Sequence, residues 1–285
     1  MRIPSSSVHS RMMASLVKLI GVCLCLIAAS PLTGHATERI ALVIGNQDYG
    51  AQNSLRNPVR DAEAVSNTLL DLGFDVITAT DRTHSQMLEA IREFRDKSAD
   101  AELSLFFFAG HAIQYGGRDY LLPTDTRLRG PADIEISTIP LDLIMRQMSS
   151  TSAIRLMLID ACRNNPFQRD ADRIAVGDES QLGSTRGIGQ IPAEDKGAMV
   201  GFSAEPGSRA FDGKGDHSPF TQALLRHLPS PGVEINETMR RIRFEVFETT
   251  NHQQQPTVRS SLMDRVVLAD PERTYVSLPS DGLFP

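Results

Sequence analysis

Residues 154–163 read Ile-Arg-Leu-Met-Leu-Ile-Asp-Ala-Cys-Arg, an apolar run that ends close to a cysteine, Cys162. A short apolar run of this kind predicts a buried β-strand over 154–159. Upstream, residues 105–111 read Leu-Phe-Phe-Phe-Ala-Gly-His, a second strand-like run that is followed by His111. We therefore expect one thiol and one imidazole two to three residues beyond the carboxyl ends of two buried strands.

Strand-like and helix-like patterns alternate on both sides of these two runs. The patterns predict strands over 40–44, 74–79, 103–108, 154–159, 199–203 and 266–268. They predict helices from Asn57-Pro58 to Gly73 and over 83–97, 141–148, 218–228 and 235–250. Gly116-Gly117 predicts a hairpin turn. This alternation predicts an α/β fold, with a mostly parallel central sheet and helices on both faces.

The first 36 residues have the pattern of a signal peptide. Three basic residues and no acid accompany an apolar stretch at 19–29, and small residues around Gly34-His-Ala offer a cleavage site. That stretch is shorter than the roughly 20 residues of a membrane span, and an uncleaved membrane anchor is the alternative. We expect export across the inner membrane to the periplasm, one folded domain at 37–270 and a flexible tail at 271–285.

Charge and cysteine content narrow the function further. The chain has 35 Asp and Glu against 29 Lys and Arg, and loss of residues 1–36 would make its net charge more negative than −6. This balance disfavours nucleic acid and anionic membrane surfaces as partners. Cys23 and Cys25 lie in the predicted signal, so the mature chain keeps Cys162 alone and has no internal disulfide.

The strand-end positions suggest how Cys162 and His111 would work together. Ligands of parallel α/β sheets bind beyond the carboxyl ends of the strands, and a thiol attacks a carbonyl only after a neighbouring base has taken its proton. Backbone N–H groups of Cys162 and Ala112 would then hold the oxyanion. The alternative is an inert buried cysteine and a histidine satisfied in the core, and spacing alone leaves both open.

The surrounding motifs resemble the caspase-like cysteine peptidases, and among them the paracaspases most closely. Ala-Gly-His-Ala precedes Asp-Ala-Cys-Arg by about fifty residues, and Asp160 replaces the glutamine of caspases, as in metacaspases and paracaspases. Similar blocks lie at 41–49, 55–61, 122–125, 207–212 and 218–225. The resemblance implies a caspase-like three-layer sandwich over about 39–270, with Cys162 as the nucleophile and His111 as its base.

The resemblance also implies a substrate preference. Caspases that cut after aspartate line the pocket for that residue with arginines and a glutamine. By resemblance, Asp160 stands at the glutamine position and Asp212 at the position in the later loop, while Asp61 matches an acidic pocket position of the paracaspases. Three carboxylates in one cavity repel unless a cation joins them, and a guanidinium pairs with carboxylates in bidentate fashion. We expect cleavage after Arg, and more weakly after Lys, in protein or peptide substrates. Ordinary surface positions for Asp61 and Asp212 are the alternative.

Two further features, Ala112 and the segment 168–196, lead to separate predictions. The family usually has glycine after the histidine, whereas Ala112 keeps the N–H and adds a methyl that could crowd the substrate. The polar segment 168–196 corresponds to the loop that caspases cut between their subunits, and it offers Arg173, Arg186 and Lys196 as self-cleavage sites. A disordered linker with incidental basic residues is the alternative.

The remaining predictions concern cofactors, residues with structural roles, and partners. No phosphate-binding or metal-binding motif is present in the sequence, and we predict no cofactor and no metal. His217 is predicted to be a surface or packing residue, and Tyr49 a turn or packing residue. The resemblance allows pairing of two copies through a sheet edge. A non-catalytic binding or assembly module of the same fold is the competing function, while thiol redox chemistry is disfavoured without a second cysteine.

Overall fold

The computed structural model describes residues 39–270 except 52, 100, 150–151, 163–195, 206–207 and 209, and it describes 149 and 162 by their backbone alone. The strands are β1 Arg39–Gly45, β2 Asp75–Thr80, β3 Leu103–Tyr115, β4 Arg118–Leu121, β5 Ile139–Pro140, β6 Ile154–Cys162, β7 Ala198–Phe202 and β8 Thr257–Ser260. The helices are α1 Pro58–Asp71, α2 His84–Lys97, α3 Pro131–Ser137, α4 Leu141–Ser149, α5 Pro219–His227 and α6 Ile235–Thr249.

The central sheet has the strand order β2-β1-β3-β6-β7-β8. Its first five strands are parallel to one another, and β8 is antiparallel to β7. Strands β3 and β4 form the predicted hairpin, in which Tyr115 pairs with Arg118 across the glycine turn. The predicted α/β fold with a mostly parallel sheet is confirmed.

The inner strands of the sheet are buried on both faces because their alternate residues meet different helix layers. In β3, Phe106 and Phe108 pack in the core on the side of α2 and α4, whereas Leu105 and Phe107 pack in the core on the side of α1, α5 and α6. A strand covered on both faces has no polar side, which explains its continuous apolar run. The result is a three-layer sandwich.

The strands that carry His111 and Cys162 are longer than predicted. Strand β3 continues through His111 to Tyr115, and β6 continues to Cys162, so both residues lie within their strands and not beyond them. The extension follows from pairing, since the end of β3 finds partners in β6 on one side and in the β4 hairpin.

The last strand of the sheet was predicted at the wrong place. The prediction put it at 266–268, where Val267 makes only a single bridge with Glu234. The strand lies instead at Thr257–Ser260, where it pairs along β7. Pairing with β7 decides the strand here, and the half-exposed polar sequence of β8 gives no apolar signal for it.

Several predictions concern residues outside the described ranges and stay predictions. These are the signal peptide at 1–36, the tail at 271–285, and Arg173 and Arg186 in the 168–196 loop. Within the ranges that are described, no helix is long and apolar enough to cross a membrane.

Candidate active site

The site lies at the carboxyl edge of the sheet, where β3 and β6 run side by side. His111 and Cys162 are direct register partners of these parallel strands, as are Ala109 and Asp160. Neighbouring strands lie about 4.8 Å apart, so the backbones of the two residues are adjacent. At these carboxyl ends the chain that leaves β1 continues to β2 on one side, whereas the chain that leaves β3 continues towards β6 on the other side. This divergence creates the crevice where ligands of such sheets bind.

The ring of His111 has a defined orientation. Its Nε2 lies 2.8 Å from the backbone oxygen of Asn53, and a carbonyl oxygen can only accept, so Nε2 carries a proton. In the neutral ring, Nδ1 therefore holds the lone pair that can take a proton. Burial lowers the pKa of His111, an effect opposed by the Asn53 hydrogen bond and by Asp212. Both features suit a base that is neutral at physiological pH.

Tyr49 holds the backbone that presents His111. Its buried hydroxyl accepts a hydrogen bond from the N–H of His111 at 3.0 Å and donates one to the carbonyl of Leu122 at 3.0 Å. The two rings lie 4.6 Å apart, centroid to centroid. Tyr49 was predicted to be a turn or packing residue, and its hydrogen bond to His111 was missed because nothing in the spacing of the sequence relates the two.

A cavity of about 330 Å³, part of which is open to solvent, lies beside His111. Its walls come from the loop after β1, from α1, from the ends of β3 and β6, and from the segment before α5. The cavity brings together His111 and all three acids that were predicted for substrate binding. Its described lining residues are Leu55, Pro58, Asp61, Ala109, Gly110, His111, Asp160, Ala161, Ala210, Phe211, Asp212 and Ser218.

Asp61 reaches the cavity because α1 begins very close to the end of β1. A Cβ on Gly45 would lie 2.3 Å from the carbonyl oxygen of Pro58, so only glycine permits this approach. Asp61 is buried, with 1% of its surface exposed as a whole residue, and its Oδ1 lies 2.8 Å from Nδ1 of His217. Burial, and next the negative charge of Asp160, raise the pKa of Asp61 to about 9.

Asp160 lies at the amino end of α5, the end at which a helix stabilises negative charge. Its Oδ2 accepts hydrogen bonds from the hydroxyls of Ser218 and Thr221, the latter at 3.1 Å. Ser218 also caps α5 by accepting from the N–H of Thr221 at 2.9 Å. Burial raises the pKa of Asp160 to about 6, although these hydroxyls favour the charged form.

Asp212 is half-buried and is held by backbone amides. Its two carboxylate oxygens accept from the N–H of Arg56 at 2.6 Å and from the N–H of Asn57 at 3.2 Å. The side-chain amide of Asn57 donates to the carbonyl of Asp212 and so fixes the same loop. Asn57 therefore precedes the helix as predicted, but its side chain binds this loop and does not cap α1.

Two other predicted residues lie in places that the sequence could not show. Ala112 is 2% exposed, its methyl belongs to the core on the side of α2 and α4, and it is not among the described lining residues of the cavity. Lys196 directly precedes β7. Because β6 and β7 are parallel, Lys196 lies at the amino ends of the strands, whereas His111 and Cys162 lie at the carboxyl ends.

Three further residues that contact the pocket acids were not predicted from the sequence. His217, Ser218 and Thr221 bind Asp61 or Asp160 from the start of α5. His217 was predicted to be a surface or packing residue, because an isolated histidine has no spacing signal. Ser218 lies within a block that resembles the family, which is the one signal that could have pointed to it. Among the described residues, no group of three or more potential ligands is placed to hold a metal.

The parallel sheet, its two helix layers and a histidine–cysteine register pair beside a pocket define the class of protein as caspase-like. The caspase domain family matches residues 38–267, and the chain belongs to that family. The caspase-like resemblance seen in the sequence is therefore confirmed.

Individual relatives agree with this assignment. Human mucosa-associated lymphoid tissue lymphoma translocation protein 1 is 24% identical over 243 residues, covering 83% of this chain and 27% of that protein. Caspase-1-B of Xenopus laevis is 24% identical over 135 residues, covering 44% and 34%. The crystal structure of caspase-1 from Spodoptera frugiperda has a TM-score of 0.60 at 18% identity, covering 85% of this chain and 93% of that one. The matches thus span about a quarter to a third of the length of these curated relatives.

Proposed function

We propose that this chain is a cysteine endopeptidase that hydrolyses peptide bonds after arginine, and more slowly after lysine. The observation that carries the proposal is the acidic cavity beside His111, which is lined by Asp61, Asp160 and Asp212. The register partnership of His111 with Cys162 supports the hydrolytic part. A cavity with three acids accommodates a guanidinium far better than an anionic or apolar side chain.

The reaction follows from the roles of the two residues. His111 takes the thiol proton of Cys162, and the thiolate attacks the carbonyl carbon of the scissile bond, so that a C–S bond forms and the carbonyl oxygen becomes an oxyanion. Collapse of this intermediate breaks the C–N bond, and His111 gives its proton to the leaving amine. Water, deprotonated by His111, then cleaves the thioester and restores the thiol. The backbone N–H groups of Cys162 and Ala112 are the proposed oxyanion donors.

Fluorogenic peptides that differ only in the residue before the reporter test the specificity. The purified chain should cleave the Arg peptide best and the Lys peptide more slowly, and it should leave the Asp peptide intact. Asp160→Asn keeps the shape of the pocket and removes a charge, so we expect kcat/KM for the Arg peptide to fall by about ten- to a hundredfold. Cys162→Ala is the blank. Faster cleavage of the Asp peptide would refute the pocket assignment.

A non-catalytic binding module is the competing function, and covalent labelling separates the two. An arginyl chloromethyl ketone should alkylate Cys162 in the wild type and much more slowly in His111→Ala. Peptide mapping by mass spectrometry identifies the labelled residue. If Cys162 remains unlabelled in the wild type while the peptide still binds, the chain is a binding module and not a peptidase.

Self-cleavage in the 168–196 loop is part of the proposal. Arg173, Arg186 and Lys196 are the candidate sites, and Lys196 lies at the sheet edge opposite Cys162, so cleavage there requires a second copy. Intact-mass measurement of the wild type against Cys162→Ala is the test. Identical masses for the two proteins would refute self-processing.

We also propose export of the mature chain to the periplasm under the direction of residues 1–36. Fractionation of cells that express the full chain should place it in the periplasmic fraction, with a new amino terminus close to residue 37. Recovery with an intact amino terminus in the membrane fraction would instead indicate an uncleaved anchor.

A further inference from the structure

Asp61 has a different kind of hydrogen-bond partner from the other two acids of the cavity, because it contacts the side chain of His217. Nδ1 of His217 lies 2.8 Å from Oδ1 of Asp61, and the side chain of His217 is 27% exposed while that of Asp61 is 2% exposed. The carboxylates of Asp160 and Asp212 accept from hydroxyls and backbone amides, which do not titrate near neutral pH. Asp61 is therefore the pocket acid whose described side-chain partner can itself gain or lose a proton.

The charges around this pair are mainly negative. Asp160 from β6 and Asp212 from the segment before α5 act on Asp61, and Asp216 adjoins His217 in the chain. Arg60 of α1 opposes them, but its guanidinium lies 3.6 Å from the carboxylate of Asp216 and is partly neutralised there.

The part of the cavity lining that the structure describes supplies no permanent cation. No lysine or arginine is among the described residues that line it, and the remaining titratable group is His111, whose pKa is lowered by burial. Carboxylates that share a buried site cannot all ionise without a counter-charge. A proton bound to the pair is the simplest counter-charge in the empty pocket.

We propose that the Asp61–His217 pair holds a proton in the empty pocket and releases it to solvent when a guanidinium enters. The incoming cation then neutralises Asp61 in place of the proton, so that recognition of arginine is coupled to proton release. His217 is a positioning residue that hydrogen-bonds Asp61 in both states. This inference rests on the proposed arginine pocket, although it does not require hydrolysis.

The coupling has a definite sign. A ligand that binds only after a proton has left binds more tightly as the pH rises, by up to about tenfold for each pH unit below the pKa of the pair. Asp61 has its pKa raised to about 9 and Asp160 to about 6. The range from pH 7 to pH 9 lies above the pKa of Asp160 and spans that of Asp61, so the pair dominates the expected pH dependence there.

Calorimetry with agmatine, a guanidinium probe without a peptide bond, tests the coupling on the full chain. Titrations at pH 7.5 in phosphate and in Tris, whose ionisation enthalpies differ, count the protons released. We expect roughly half to one proton for each agmatine bound, and a Kd that falls at least about fivefold from pH 7 to pH 8. Asp61→Asn should release almost none and show little dependence on pH. Binding to the wild type without proton release would overturn the proposal.

Two variants of His217 test its own role. His217→Asn keeps a donor near the position of Nδ1, whereas His217→Leu removes it. At pH 8.5 we expect the Leu variant to bind agmatine about tenfold more weakly, and the Asn variant to stay within about threefold of the wild type. Wild-type affinity in the Leu variant would exclude His217 from the site. If the wild type fails to bind agmatine, the arginine pocket is wrong as well, whereas agmatine binding without hydrolysis of any arginyl peptide refutes the peptidase activity alone.

Discussion

Removal of the hydroxyl of Tyr49 should destabilise the fold and misplace His111, the proposed base. In Tyr49→Phe, the N–H of His111 loses its acceptor, which lies 3.0 Å away. The carbonyl of Leu122 also loses a donor, but it keeps the side-chain amide of Asn46 at 3.2 Å. One group is thus left without its partner, and an unsatisfied buried donor costs about 1–3 kcal/mol.

Tyr115→Phe is a matched control for this substitution. Tyr115 packs against the same small apolar cluster as Tyr49, and its hydroxyl makes no hydrogen bond among the described residues. Thermal unfolding should show a decrease of Tm of about 4–8 °C for Tyr49→Phe, corresponding to about 2 kcal/mol in a domain of this size, and little change for Tyr115→Phe.

The kinetic effect of Tyr49→Phe should appear in kcat, with little change in KM. Tyr49 holds the backbone of His111, whereas the acids of the cavity are held by other contacts, so substrate binding is retained while proton transfer is misaligned. We expect kcat for an arginyl peptide to fall about tenfold or more. If Tyr49→Phe and Tyr115→Phe behave alike in both stability and kcat, the hydrogen bond to His111 has no role in positioning the base.

Further predictions concern the pocket and its support. Gly45→Ala should lower Tm, since its Cβ would lie 2.3 Å from the carbonyl oxygen of Pro58, whereas Gly215→Ala, with nothing within 4 Å, should not. Asn57→Ala should raise KM for arginyl peptides, because it leaves the carbonyl of Asp212 without its side-chain donor, and unchanged KM would contradict this. A raised carboxyl pKa stabilises the fold at low pH, and this stabilisation is lost as the pH rises through the folded-state pKa of about 9. Urea unfolding from pH 6 to pH 9 should therefore show a steeper loss of stability in the wild type than in Asp61→Asn, and equal slopes would count against the protonated carboxyl.

The sequence determines the fold to a large extent because its strongest signals are local. Apolar runs such as 103–108 and 154–159 are long enough to define buried strands, and helix α1 is bounded by clear local signals in Pro58 and Gly73. Elements without a strong local apolar pattern cannot be predicted in this way. Strand β8 is a half-exposed polar segment, and only pairing with β7 makes it a strand. Strand β3 passes beyond its apolar run because β6 and the hairpin offer hydrogen bonds to its end.

The residues of the candidate site also fall into two groups, those that motif spacing predicts and those that only the structure reveals. Motif spacing singles out His111, Cys162 and the three acids, since these residues lie in short blocks that can be matched by sequence alone. Tyr49 and His217 cannot be found like this. Tyr49 lies 62 positions from His111, and His217 lies 156 positions from Asp61, and each pair meets only because separate elements converge at one sheet edge.

The sequence by itself therefore determined the parallel sandwich, and it singled out the histidine, the cysteine and the three acids that are proposed as the site. The tertiary structure alone decided which nitrogen of His111 is free, which group holds its backbone, and which acid is hydrogen-bonded to a histidine. Periodicity and motif spacing record neighbours along the chain, whereas hydrogen-bond partners and burial depend on contacts between residues far apart in the chain.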